Sequence, residues 1–226
     1  MIEQIEICQS ALNKFLEETR NRFPRFFFLG DEDLLEILGQ SENPKIIKMH
    51  LKKIFAGIFD VEFRNSGVNM QIVSMIGCTG ETVSLVSPVM VDGNLESWLK
   101  SLQKGMVTTL QESLKNCIKE KQLSISQYPG EILGITKEVE FKSKVTDAIE
   151  KRKLEEVLEQ MNQFLDNLTS ARPKLNKIDQ IKVKNLIMDI IHQISVLELL
   201  VQTQTHNINN WHWFKQLKFS CGTSGN

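Results

Sequence analysis

Apolar residues recur along most of this chain at helical spacing, interrupted by one stretch with strand-like alternation. Ile2, Ile5, Leu12, Phe15 and Leu16 fall on one face of a helix running from Ile2 to Arg22, because residues three and four apart share a helical face. Pro24 predicts its end, since proline disfavours a helical residue before it. Phe26-Phe27-Phe28-Leu29 is a continuous apolar run whose length and aromatic content predict a buried extended segment. Asp31 follows as an N-cap. Glu32 and Asp33 add negative charge at the positive end of a helix that reaches Leu38 and stops near Gly39. Asn43-Pro44 reads as a second cap with proline at the first helical position. From there Ile46, Ile47, Leu51, Ile54 and Phe55 hold one face until about Gly57.

Between Phe59 and Val91 the period shortens. Val61 and Phe63, then Met70, Ile72 and Val73, then Val83 and Leu85 predict strands, with turns at Asn65-Ser66-Gly67 and Gly77-Cys78-Thr79-Gly80. Helical spacing resumes after Asp92-Gly93-Asn94, through Leu95, Trp98, Leu99, Leu102, Met106, Leu110, Leu114 and Ile118. Gly105 interrupts that stripe at a cost of roughly 1 kcal/mol against alanine. Beyond Tyr128-Pro129-Gly130 a helix is expected from Glu131, with an interruption near Glu140 to Ser143, continuing through Lys144 to Leu168. A loop around Pro173 precedes the longest apolar-faced helix, Lys177 to Gln204. Asn209-Asn210 caps a last aromatic segment, Trp211-His212-Trp213-Phe214. The expected class is mainly α, an elongated antiparallel helical bundle with a small inserted β-hairpin or meander. The pattern divides it into 1–58, 59–91 and 92–219, with a disordered tail at 220–226.

Composition narrows the chemistry. An apolar fraction of 41% and a charged fraction of 24% in 226 residues fit a folded chain with real cores. The net charge of −1 gives no electrostatic case for nucleic acid, which wants a clustered basic surface. No run of about 18 apolar residues occurs, so no membrane partner is expected. The opening MIEQIEICQS lacks the basic start and apolar core of a signal peptide. Cys8, Cys78, Cys117 and Cys221 lie far apart without a CxxC pair, which predicts reduced thiols in an intracellular compartment.

Each catalytic class lacks its residues. Neither GxxxxGK[ST] nor GxGxxG occurs, so no backbone cradle for phosphates is expected. His206 and His212 are six apart and do not share a helical face, while His50 and His192 lie inside amphipathic helices and read as polar-face or satisfied core residues. No metal site and no cofactor are expected on that basis. There is no GxSxG elbow. Glu155, Glu156, Glu159 and Asp166 alternate with basic or neutral positions as solvated helix faces do. The aromatic clusters Phe26-Phe27-Phe28 and Trp211-Trp213-Phe214 remain, either as core filler or as faces that dock on a partner.

The stretch Phe23-Pro24-Arg25-Phe26-Phe27-Phe28-Leu29-Gly30-Asp31-Glu32-Asp33-Leu34-Leu35-Glu36-Ile37-Leu38-Gly39-Gln40 resembles the linker of dynein heavy chains. In that family an FPRF-type aromatic run precedes an acidic LLEIL helix and a segment ending in HL, here His50-Leu51. Further resemblances lie at Gly80-Glu81-Thr82-Val83, Pro88-Val89-Met90-Val91, Asn94 with Trp98-Leu99, and Tyr128-Pro129-Gly130-Glu131. They continue through Leu186 to Ile194, with Asp189 in its matching place, and at Trp213-Phe214-Lys215-Gln216-Leu217-Lys218-Phe219. Phe141 stands where the family usually has tryptophan. The resemblance covers roughly residues 1 to 219, with the hairpin leaning toward axonemal chains and LLEILGQ shared with the ciliary transport form.

It implies a mechanical lever that lies across an AAA+ ring and moves with nucleotide state, in the cytoplasm and cytoskeleton, with cilium or axoneme favoured. ATPase and microtubule-binding parts would lie elsewhere in such a motor, so the chain reads as the C-terminal half of a linker, a truncated product or a fragment, and not as an enzyme. Other dynein subunits are further implied partners. The family-motif residues implied for docking are Phe23, Pro24, Arg25, Phe26, Phe27, Phe28, Leu34, Leu35, Glu36, Trp98, Trp213 and Gln216. A freestanding helical module that binds a protein partner is the alternative.

Overall fold

A computed structural model describes residues 2–41, 43–66, 69–120, 123–220 and 222. The chain forms two compact units, Met1–Leu110 and Gln111–Asn226, with the boundary inside one helix. The class is mainly α with a small three-stranded antiparallel sheet.

The first unit opens with α1 (Ile2–Arg22), a 3₁₀ turn (Pro24–Phe28), α2 (Asp31–Gly39) and α3 (Pro44–Ile54). The meander β1 (Asp60–Ser66), β2 (Asn69–Ile76) and β3 (Thr82–Val91) follows, then α4 (Leu95–Lys119). The strands lie in the order β1-β2-β3. Between β2 and β3, Gly77 accepts from the Gly80 amide at 3.0 Å, and Gly80 takes φ 82°, a conformation open to glycine at little cost. Of the first expected turn, Gly67 lies outside the described residues. Both pairings shift register near Ile72 to Ser74, and Pro88 occupies the irregular part of β3, where a missing N–H costs no ladder bond. Val61, Ile72, Leu85 and Val89 join Phe26, Leu34, Ile47, Leu51 and Trp98 in one core. Packing therefore groups the sheet with the helices around it.

The second unit contains α5 (Gly130–Lys151), α6 (Leu154–Ala171), a 3₁₀ turn (Arg172–Lys174), α7 (Lys177–Gln202) and α8 (Trp211–Phe214). Phe141, Val145, Ile149, Leu197, Leu200 and Trp213 form one core cluster, and Leu168, Val183, Leu186 and Ile190 lie in a second. Asp179 is buried here. Burial raises its pKa, but hydrogen bonds from Ser126, Lys182 and Asn176 outweigh that and hold the carboxyl below its ordinary range. Among the described residues α7 is the one helix long and apolar enough to cross a membrane. Its Val183, Leu186, Ile190, Leu197 and Leu200 are the core of this unit, which accounts for that composition.

Several boundaries differ from expectation. The cap of α2 is Gly30, not Asp31, and no side chain caps it. Asp31 instead accepts from the Arg20 guanidinium at 2.7 Å. No interruption occurs at Glu140 to Ser143. Glu140 accepts from Lys137 at 2.8 Å one turn back, and Phe141 is buried, so the helix runs on. The break falls at Arg152, which takes φ 57° while the Lys153 amide donates to Ala148 at 2.9 Å, a left-handed helix end. In α1 the expected apolar face is buried only at Leu16, with Thr19, whereas Ile2, Ile5, Leu12 and Phe15 are exposed. The expected helix to Gln204 ends at Gln202, and Gln204 takes φ 47°. Of the expected disordered tail, Cys221 and residues 223–226 lie outside the described residues.

Candidate docking site

The aromatic run after α1 is not extended. The Phe26 amide donates to Phe23, and the Leu29 amide to Phe26, each at 3.0 Å, which is 3₁₀ geometry. With about three residues per turn, positions three apart eclipse. Phe23, Phe26 and Leu29 therefore all point inward and are buried at 3%, 0% and 3% exposure. Phe27 and Phe28 fall on the other side, at 61% and 68%. Extended backbone would instead have turned alternate residues inward.

Two arginines fix this turn. Arg25 Nη1 donates to the Ile54 carbonyl at 3.2 Å, at the end of α3, and its guanidinium sits 4.9 Å from the Phe55 ring centroid. Arg20 donates to the Leu29 carbonyl at 3.1 Å as well as to Asp31. Phe23 and Phe26 meet edge to face, with ring centroids 5.0 Å apart. Pro24 starts the turn and is exposed. Anchored on both sides, the turn presents two bare phenyl rings to solvent.

The acidic helix beside it divides its residues by face. Leu34 is fully buried and Leu35 is 38% exposed. Glu36 Oε2 lies 2.9 Å from His50 Nε2, so His50 is a core histidine with one nitrogen satisfied. Asp33 accepts from Lys53 at 2.6 Å, and that bond holds its carboxyl below the usual range.

Trp98 is buried in the same core, and its Nε1 has no hydrogen-bond partner. It borders a groove of about 430 Å³ between β3 and α4, lined also by Val86, Pro88 and Gly105. Trp213 and Gln216 belong to the other unit. Trp213 is 1% exposed and packs on Phe141 with centroids 6.1 Å apart. Lys218 lies 4.7 Å from its ring centroid, and burial, with repulsion from Lys142, lowers the pKa of that ammonium. Gln216 donates to the His212 carbonyl at 3.2 Å. Trp211, Phe214 and Leu217 surround this anchor and are exposed at 66%, 65% and 80%. Among the motif residues, Phe23, Phe26, Leu34, Trp98 and Trp213 are buried anchors, whereas Pro24, Phe27, Phe28 and Leu35 are exposed and free to touch a partner. Cys117 is buried, and burial pushes its thiol pKa up, the reverse of an activated nucleophile.

The helical frame with its embedded meander and anchored FPRFFF turn defines a mainly α protein with a small antiparallel sheet. Residues 1–117 match the family model for dynein heavy chain, N-terminal region 2. The chain belongs to the dynein heavy chain family. It is 40% identical to cytoplasmic dynein 2 heavy chain 1 of Tripneustes gratilla over 97% of its length, and 39% identical to the Caenorhabditis elegans protein of that name over 100%. Dynein axonemal heavy chain 2 of Mus musculus is 30% identical over 95%. Identity to the dynein 2 chains exceeds that to this axonemal chain, the reverse of the order the hairpin suggests. The chain spans about 5% of the length of each of these relatives.

Proposed function

We propose that this chain is a linker segment of a dynein heavy chain, a lever that docks on the motor's AAA+ ring and transmits its conformational change without hydrolysing ATP itself. The observation that carries this reading is the turn at Pro24–Phe28, pinned by Arg20 and Arg25 yet exposing Phe27 and Phe28. Two aromatic rings held bare on a fixed backbone lose little conformational freedom on contact and suit an interface anchor. Packed helices with continuous apolar cores supply the stiffness a lever needs. The lack of a phosphate-binding glycine motif supports placing ATP turnover in other parts of the motor. A motor of this kind works on microtubules, and the dynein 2 and axonemal names of the relatives support a ciliary cytoskeletal setting.

The test is binding of the purified chain to the separately purified ring of a dynein 2 heavy chain, in the presence of different nucleotides. Nucleotide-dependent binding, weakened at least tenfold by combined Phe27→Ala and Phe28→Ala, is expected. No binding in any nucleotide state, or binding indifferent to both substitutions, refutes the reading. ATP turnover by the chain alone contradicts its non-catalytic part.

A further inference from the structure

Asp33 and Glu36, one turn apart on α2, face His50 on α3, and one ligand atom of each lies within 4.8 Å of the others. His50 is fully buried. Its Nε2 lies 2.9 Å from Glu36 Oε2, and a carboxylate can only accept, so Nε2 is the donor. The opposite nitrogen, Nδ1, has no hydrogen-bond partner and faces Asp33 Oδ1 at 3.8 Å. With Nε2 protonated, a buried lone pair and a carboxylate oxygen point into the same gap. A cation resolves that clash. Metal–ligand bonds of about 2.1 Å sum to about 4.2 Å, so an ion between Nδ1 and Oδ1 spans the observed separation at an open angle.

We propose that His50 Nδ1 and Asp33 Oδ1 ligate a zinc ion, and that Glu36 is a positioning residue that holds the imidazole through Nε2. A carboxylate on the far nitrogen of a ligating histidine fixes its tautomer and raises its basicity. The imidazole and carboxylate pair suits zinc better than magnesium or calcium, which take oxygen ligands. The Asp33 side chain is 32% exposed, so water completes the coordination from the solvent side. Lys53 opposes binding, because its ammonium places positive charge on the other carboxylate oxygen. The ion clamps α2 to α3 close to the aromatic turn. This inference does not depend on the linker reading.

The chelator-stripped 226-residue chain is titrated with Zn²⁺, with Mg²⁺ as control, by calorimetry and thermal melting, and with Co²⁺ by visible absorption. One zinc per chain, a raised Tm and a cobalt d–d band are expected, with no response to Mg²⁺. Asp33→Asn weakens zinc at least tenfold, Glu36→Gln weakens it by about 10- to 100-fold, and Lys53→Met tightens it. Asp33 and Lys53 are partly exposed, so these variants report even where His50→Gln fails to fold. The proposal is overturned by an absent zinc response or by unchanged affinity in Asp33→Asn, which marks an adventitious ion only. It is also overturned if nitrogen-15 NMR finds a proton on Nδ1 in excess zinc, since a second proton then fills the gap.

Discussion

Replacing Phe26 with alanine removes a phenyl ring that is 0% exposed and packed edge to face on Phe23 at 5.0 Å. The loss combines the transfer free energy of the ring with the cavity left behind, and such changes cost about 3–5 kcal/mol. The aromatic pair accounts for roughly 0.5–1.5 kcal/mol of that. For a chain of this length each kcal/mol lowers Tm by about 2–4 °C, so the expected drop is about 6–20 °C. The neighbouring Phe27→Ala and Phe28→Ala remove equally large rings from positions 61% and 68% exposed. Each should shift stability by no more than about 0.5 kcal/mol. Urea and thermal unfolding followed by circular dichroism measure all three variants on one scale. Similar losses at all three positions, or a Phe26→Ala variant as stable as the parent, refute the three-residue period assigned to this turn.

Tyr128 is the chain's single tyrosine, so its ionisation can be followed directly by ultraviolet absorbance. The hydrogen bond it donates to Glu120, reinforced by burial, pushes its pKa up to about 12. The folded state therefore holds this proton where the unfolded chain has lost it. The contribution to stability is present below the ordinary tyrosine value of about 10 and lost as pH rises toward about 12. Glu120→Gln should bring the midpoint back toward the ordinary value, and an unmoved midpoint contradicts the assignment. Arg152 holds φ 57° at the end of α5, a conformation that costs a non-glycine residue roughly 1–2 kcal/mol. Arg152→Gly should thus raise stability by about 1 kcal/mol, and a lower urea midpoint contradicts this.

The local rules wrote most of the helices. Asn43, Asn176 and Asn210 cap α3, α7 and α8 with their side chains, because the cap bond spans two or three residues and needs no distant partner. The alternating run at 59–91 likewise specified strands, and Gly77 to Gly80 their turn. The family-motif stretch Phe23 to Gln40 was legible as well, but not what each of its residues does. Four apolar residues in a row carry no period, so Phe26-Phe27-Phe28-Leu29 cannot announce which rings face inward. The 3₁₀ turn, Arg25 on the Ile54 carbonyl and Arg20 on Leu29 decide that. Asp31 looked like a cap until Arg20, eleven positions earlier, claimed its carboxylate. His50 read as a polar-face or satisfied core residue without a named partner, because Asp33 and Glu36 reach it only when α2 packs on α3. Sequence alone determined the family, most of the helices and the caps at Asn43 and Asn210, since these depend on neighbours along the chain. Tertiary structure alone decided which aromatics are anchors and which are bare, and which acids meet the histidine, since those depend on contacts between distant segments.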